Sequence, residues 1–128
     1  MAAANAQFAD IGKAFVQHYY QTFDTNRPAL QTLYQEASML TFENEQFMGI
    51  QPIMQKLTTL QFQTVQHQVI TCDSQPAKDN GILTFVTGKL VVDNNATTPI
   101  NFAQTFVLYP VQGGSWYVHH DMFRLNYG

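Results

Sequence analysis

Charge is scarce in this sequence. Only 12% of its residues are Asp, Glu, Lys or Arg, about half the share of an ordinary soluble domain. Six Lys and Arg stand singly against nine Asp and Glu, giving a net charge of −3. No basic run exists, so the electrostatic footprint of a nucleic-acid binder is missing, and a basic protein surface suits the chain better. Cysteine is nearly absent. Cys72 alone excludes an internal disulfide. With no basic-then-apolar leader in MAAANAQFAD, it points to a reducing compartment. No apolar run approaches the roughly 20 residues of a membrane span. Neither GxxxxGKS/T nor GxGxxG occurs, so no phosphate-cradling loop is encoded, and Gly113-Gly114 reads as a hairpin turn.

Metal ligation has little support, and no cofactor is implied. His119 and His120 are neighbours on an expected strand, which sends them to opposite faces and keeps them from sharing an ion. His18 lies among tyrosines on a helix and reads as packing.

What the sequence has is apolar and aromatic substance. Apolar residues make up 45%, with ten Phe, six Tyr and one Trp. This excludes disorder and gives one domain, 1–128, with a real core. Few charges beside many aromatics suggest that some apolar surface is covered by a second copy, or else that the surface is uncharged and rich in Gln and Thr.

Phe8, Ile11, Phe15, Tyr19 and Phe23 recur at helical spacing and predict a helix over 6–23. Phe8 opens the pattern, either as a staple onto the domain or as an exposed aromatic for another chain. Pro28 marks the first turn of a short second helix through Leu30, Leu33 and Tyr34. A strand at 39–42 is followed by the polar turn Glu43-Asn44-Glu45-Gln46. Ile50, Ile53, Met54 and Leu57 mark a third helix.

The period then changes to two. Strands are expected at 65–71, 82–92, 102–109 and 116–125, with loops at 75–81 and 93–99 and a turn at 112–114. Helices first and antiparallel strands afterwards indicate an α+β fold, three helices packed on one face of a meander. Several strands are apolar on both faces. Leu83 and Phe85 oppose Ile82, Val86 and Leu90, and Trp116, Val118 and Met122 oppose Tyr117, Phe123 and Leu125. The uncovered face calls for sheet-against-sheet pairing of two copies, or for a sheet curled over itself.

The stretch 38–69 gathers Phe42, Phe47, Leu57, Leu60, Phe62 and Val65 beside Glu43 and Glu45, an apolar pocket with an acidic lip. His67 and Asp121, with Glu43 and Asp93 nearby, supply the minimum for acid–base catalysis. The same residues also read as a hydrogen-bonded histidine and solvated acids at turns.

FVQHYYQTFDTNRPAL (15–30), YQEASMLTFENEQFMG (34–49), IMQKLTTLQFQTVQH (53–67) and DMFRLNYG (121–128) resemble the nuclear transport factor 2 family, in order and over nearly the whole chain. FRLNYG and the QPAKDNG loop are closer to fungal than to animal members. The resemblance implies a cone-shaped roll, a strongly bent antiparallel sheet around helices with an apolar cavity open at one end. It implies a homodimeric, non-enzymatic carrier that brings the GDP-bound form of the GTPase Ran into the nucleus through the pore. On the way the carrier binds FxFG-repeat nucleoporins weakly, and it moves between cytoplasm and nucleus with enrichment at the pore.

Residue by residue, Phe42, Leu60, Val65, Leu90 and Phe123 match positions of the cavity that takes an aromatic side chain of the GTPase. Glu43 and Asp93 match acids that meet its flanking basic residues, and His67 matches a histidine at the rim. Phe8 matches an aromatic of the FxFG site, and Phe85 and Met122 match the dimer contact. Three departures stand out. Phe replaces Trp at Phe42 and Phe8 relative to animal members, Asn95 replaces a second acid beyond Asp93, and the 93–101 loop is longer. Two other readings share the fold: a small-molecule isomerase or dehydratase using His67 and Asp121, and a domain that binds export receptors.

Overall fold

The aromatic stripe at the start of the chain folds into the expected helix and runs slightly further. In the computed structural model, which describes residues 7–126, α1 spans Gln7–Thr25 and buries Phe15, Val16, Tyr19, Tyr20 and Phe23. Gly12 sets its distance from the sheet. A Cβ there would lie 2.1 Å from Ser74 Oγ, so the bare backbone allows the close approach.

The second helix differs from expectation. It is a 3-10 helix, Arg27–Leu33, with Pro28 in its first turn. Tyr34, expected to close it, instead opens β1, Tyr34–Phe42. This strand begins five residues early because its first half is irregular. The register shifts between Tyr34 and Met39, and Ser38 bridges the gap. Its hydroxyl accepts from the Gln35 N–H at 2.9 Å and donates to the Val118 carbonyl. A stretch paired this way shows no period-two pattern to read.

Glu45 and Gln46, expected in the polar turn, instead open β2 (Glu45–Met48), paired to Phe42 and Thr41, which leaves Glu43 and Asn44 as a two-residue turn; α2 (Ile50–Thr58) follows as expected and buries Ile53 and Leu57. The 75–81 segment, expected as loop, is mostly strand. β3 spans Val65–Ala77 and β4 spans Gly81–Val92, with Gln75, Pro76 and Ala77 paired to Leu83, Ile82 and Gly81. The turn between them centres on Asp79 and Asn80, φ 61° and 64°. That is the left-handed pair a two-residue hairpin needs, one position before the Asn-Gly signal. Pro76 is tolerated because β3 is an edge strand.

β5 (Ile100–Pro110) and β6 (Trp116–Asn126) complete a six-stranded, curved, open sheet of order β2-β1-β6-β5-β4-β3. The three helices cover one face, which gives the expected α+β roll. The sheet is mixed, however. β1 runs parallel to β6, and the other neighbours are antiparallel.

A bulge in β6 corrects two expectations. Leu108 pairs with Val118 and Val107 with His120, so His119 is left over. The alternation flips there. Val118 is fully buried while Met122 is 55% exposed, so they do not share a face. His119 and His120 are not on opposite faces either, since their rings lie 4.5 Å apart. Among the described residues, no group of three or more His, Cys, Asp or Glu is arranged to hold a metal.

Candidate functional site

An open cavity of about 420 Å³ lies between the sheet and the helices. It is built where three segments meet. Leu57, Leu60 and Phe62 come from α2 and the turn after it. Leu40 and Phe42 come from β1, and Leu90, Phe123 and Leu125 from β4 and β6. The Phe42 ring stacks on Phe123 at 4.8 Å, and Phe123 stacks on Phe102 at 5.7 Å. All five residues matched to the family cavity (Phe42, Leu60, Val65, Leu90, Phe123) line this one space, as does His67.

Glu43 and Asp93 follow directly on the lining residues Phe42 and Val92, and both are held by the backbone. Glu43 occupies a left-handed conformation, φ 60°, which costs a non-glycine residue on the order of 1–2 kcal/mol. Its carboxylate accepts from the Leu125 N–H at 2.7 Å, and its own N–H donates to the Phe123 carbonyl. Asp93, φ 51°, accepts from the N–H groups of Gln63 and Thr64 at 2.9 and 3.0 Å. Each acid therefore ties its turn to a neighbouring segment, Glu43 to β6 and Asp93 to the stretch before β3. Glu45, the other acid of the lip, pairs with Lys56 at 2.7 Å, and that ammonium lies over the Phe42 ring. Asn95 accepts from the Thr97 hydroxyl at 2.7 Å within its own loop.

His67 is part of the wall, with its side chain 2% exposed. Its partner is Asp24, at the end of α1. The backbone N–H donates to one carboxylate oxygen at 2.9 Å, and Nδ1 meets the other at 2.7 Å. The ring lies flat on Tyr20 at 4.1 Å and edge-on to Phe23. Burial pushes its pKa below the usual histidine value, against the opposing pull of Asp24. It does not hydrogen-bond Asp121, the other half of the acid–base reading.

Asp121 lies at the cavity floor, 1% exposed. The Tyr34 hydroxyl donates to Oδ2 at 2.7 Å and Gln104 Nε2 donates to Oδ1 at 2.7 Å, with Tyr19 at 3.4 Å from Oδ2. Burial raises its pKa to about 6, although each of these hydrogen bonds lowers it. Arg27 braces the mouth from outside. Its guanidinium sits over Phe23 and Phe62 at 4.9 and 5.4 Å and donates to the Leu57 carbonyl at 3.3 Å.

Asp24, Gln104 and Arg27 escape sequence reasoning. Asp24 and His67 are 43 residues apart, and one polar residue inside an apolar strand, as Gln104 is, gives no hint of its partner. The Arg27 stack depends on a loop whose path no periodicity sets.

The outer face of the sheet carries its own pattern. One row across the strands reads Met48, Met39, His120, Val107, Leu83, and the next reads Thr41, Met122, Thr105, Phe85. Met48, Met122 and Phe85 are 62%, 55% and 45% exposed.

The family model of the nuclear transport factor 2 (NTF2) domain matches residues 11–125. The chain belongs to the nuclear transport factor 2 family. A rice protein named nuclear transport factor 2 is 52% identical over 119 residues, 92% of this chain and 96% of its own. The Emericella nidulans protein of that name is 51% identical over 123 residues, 95% and 98% of the two chains. Plant and fungal relatives of this nuclear transport factor 2 family thus match alike. The solved structure of the Cryptosporidium parvum nuclear transport factor 2 superposes with a TM-score of 0.90 at 49% identity, covering 95% of this chain and 97% of that one. These relatives are named as transport factors, not as enzymes.

Proposed function

We propose that the chain is a homodimeric, non-enzymatic carrier that binds the GDP-bound form of Ran and brings it into the nucleus. The reading rests on one observation above all: an open cavity with stacked aromatic walls, with Glu43 and Asp93 directly after two of its lining residues, Phe42 and Val92. An aromatic side chain in a dry pocket is the kind of anchor that carries much of an interface. Acids fixed beside it select basic neighbours and set register. Selectivity for the GDP form follows if the anchor is presented only by that switch conformation. Family membership, with close relatives named for nuclear transport, supports the same reading. On this reading the protein moves between cytoplasm and nucleus, passing the pore by weak contacts with FxFG repeats. The expected result in calorimetry is binding of GDP-loaded Ran at least about 100-fold tighter than of GTP-loaded Ran. Equal affinities, or none, overturn the reading.

For the FxFG contact the candidate is Phe8. It is half-buried and lines a hollow of about 290 Å³ with Ile11, Pro76 and Trp116. Phe8→Ala is expected to weaken binding of an FxFG peptide about fivefold or more by fluorescence titration, while Ran binding stays within about twofold. Equal losses in both mean that Phe8 only staples the helix to the domain.

A further inference from the structure

We propose that the cavity also binds a small arylalkylamine, its ring against the aromatic walls and its ammonium on Asp121. This goes beyond the carrier reading, because it uses the same cavity without that reading's partner. An aromatic side chain entering from Ran satisfies the walls and leaves the floor unexplained. Asp121 is a carboxylate buried at the base of an open cavity, and every group bonded to it is neutral: Tyr34, Tyr19 and Gln104. The Lys56–Glu45 ion pair and the His67–Asp24 hydrogen bond do not reach it. A buried charge normally has an opposite charge beside it.

A carboxylate offers about four acceptor sites. Two of these bonds fall on Oδ2, leaving Oδ1 with Gln104 alone and room for another donor. Of the other groups facing this space, Tyr19 and Tyr34 stay neutral, their pKa values raised far above the usual range by burial. His67 is neutral too, and Lys56 is paired at the mouth. An ammonium supplies the missing charge. Glu43 and Asp93, each next in sequence to a lining residue, add negative charge near the cavity. The cavity volume lies within the range of small-molecule sites.

The test titrates the full chain by NMR with 2-phenylethylamine and with 2-phenylethanol, its uncharged counterpart. At about pH 7.5 the amine is expected to bind at least about 10-fold tighter, the worth of a charged over a neutral hydrogen bond. Asp121→Asn is expected to bring the two affinities together, and Leu60→Trp, which fills the mouth, to weaken both. An amine that binds no tighter than the alcohol overturns the proposal, as does a preference that survives Asp121→Asn. Should Asp121→Asn fail to fold, pH decides on the unmodified protein. The preference is expected to fall about fivefold or more between about pH 7.5 and pH 5, as Asp121 takes up a proton, and a flat ratio overturns the proposal. Calorimetry with GDP-loaded Ran on the same samples separates the two readings: Ran binding that persists while the amine fails leaves the carrier reading standing alone.

Discussion

Met122→Glu is expected to turn the protein from a dimer into a folded monomer. The side chain stands in the second of two rows that cross the outer face of the sheet, between Thr41 and Thr105 and two strands from Phe85. At 55% exposure it packs little within its own protomer, so a carboxylate there is solvated and costs the fold almost nothing. Between two sheets the outcome differs. Each copy contributes one charge, and an ion taken from water without a partner costs several kcal/mol. Two such charges exceed the margin of an ordinary interface. Sedimentation equilibrium at tens of micromolar, beside a thermal melt, separates the cases. The unmodified chain should sediment near twice 14.5 kDa, and Met122→Glu near that mass with an unchanged melting temperature. A variant that remains a dimer locates the contact elsewhere, and an unmodified monomer removes the dimer altogether.

The second large effect is expected at Glu43. If Glu43 meets a basic residue of GDP-loaded Ran as proposed, Glu43→Lys should abolish that binding by turning attraction into repulsion. Truncating one partner of such a pair costs about 2–5 kcal/mol, or roughly 30-fold to several thousandfold in affinity. The same carboxylate also accepts the Leu125 N–H at 2.7 Å, so the lysine variant alone confounds charge with local structure. Glu43→Gln separates them, because it keeps an acceptor for Leu125 and removes the charge. It is expected to melt within a few degrees of the unmodified protein and to bind about 10-fold more weakly or worse. Undiminished calorimetric affinity of the Gln variant would make Glu43 a strand-end brace and nothing more.

Much of this architecture was readable in advance because its elements carry clean periods. Phe15, Tyr19 and Phe23 mark α1 by spacing alone, and Ile82, Val86 and Leu90 alternate with Leu83 and Phe85 along β4. Misreadings fell where a local device breaks the period. The Ser38 bridge hides the first half of β1, and the leftover His119 inverts the alternation through β6. A bulge adds one residue and reverses every inward and outward assignment beyond it. For this reason Val118 and Met122 looked alike and are not.

The cavity divides in the same way. Its apolar lining follows from residue type and from the family resemblance. Its polar supports, such as Asp24 under His67 and Gln104 beside Asp121, depend on pairs far apart in the chain. No local rule joins residues separated by 43 positions.

The lone parallel pairing has a consequence for biosynthesis. β1, β2 and the turn at Glu43 join the sheet only through β6, which leaves the ribosome after every other strand described. Phe42 finds Phe123, and Glu43 finds the Leu125 amide, only when that strand arrives. Until then one wall of the cavity is a dangling hairpin. A message truncated ahead of Trp116 therefore yields a product whose cavity lacks that wall, however sound its helices.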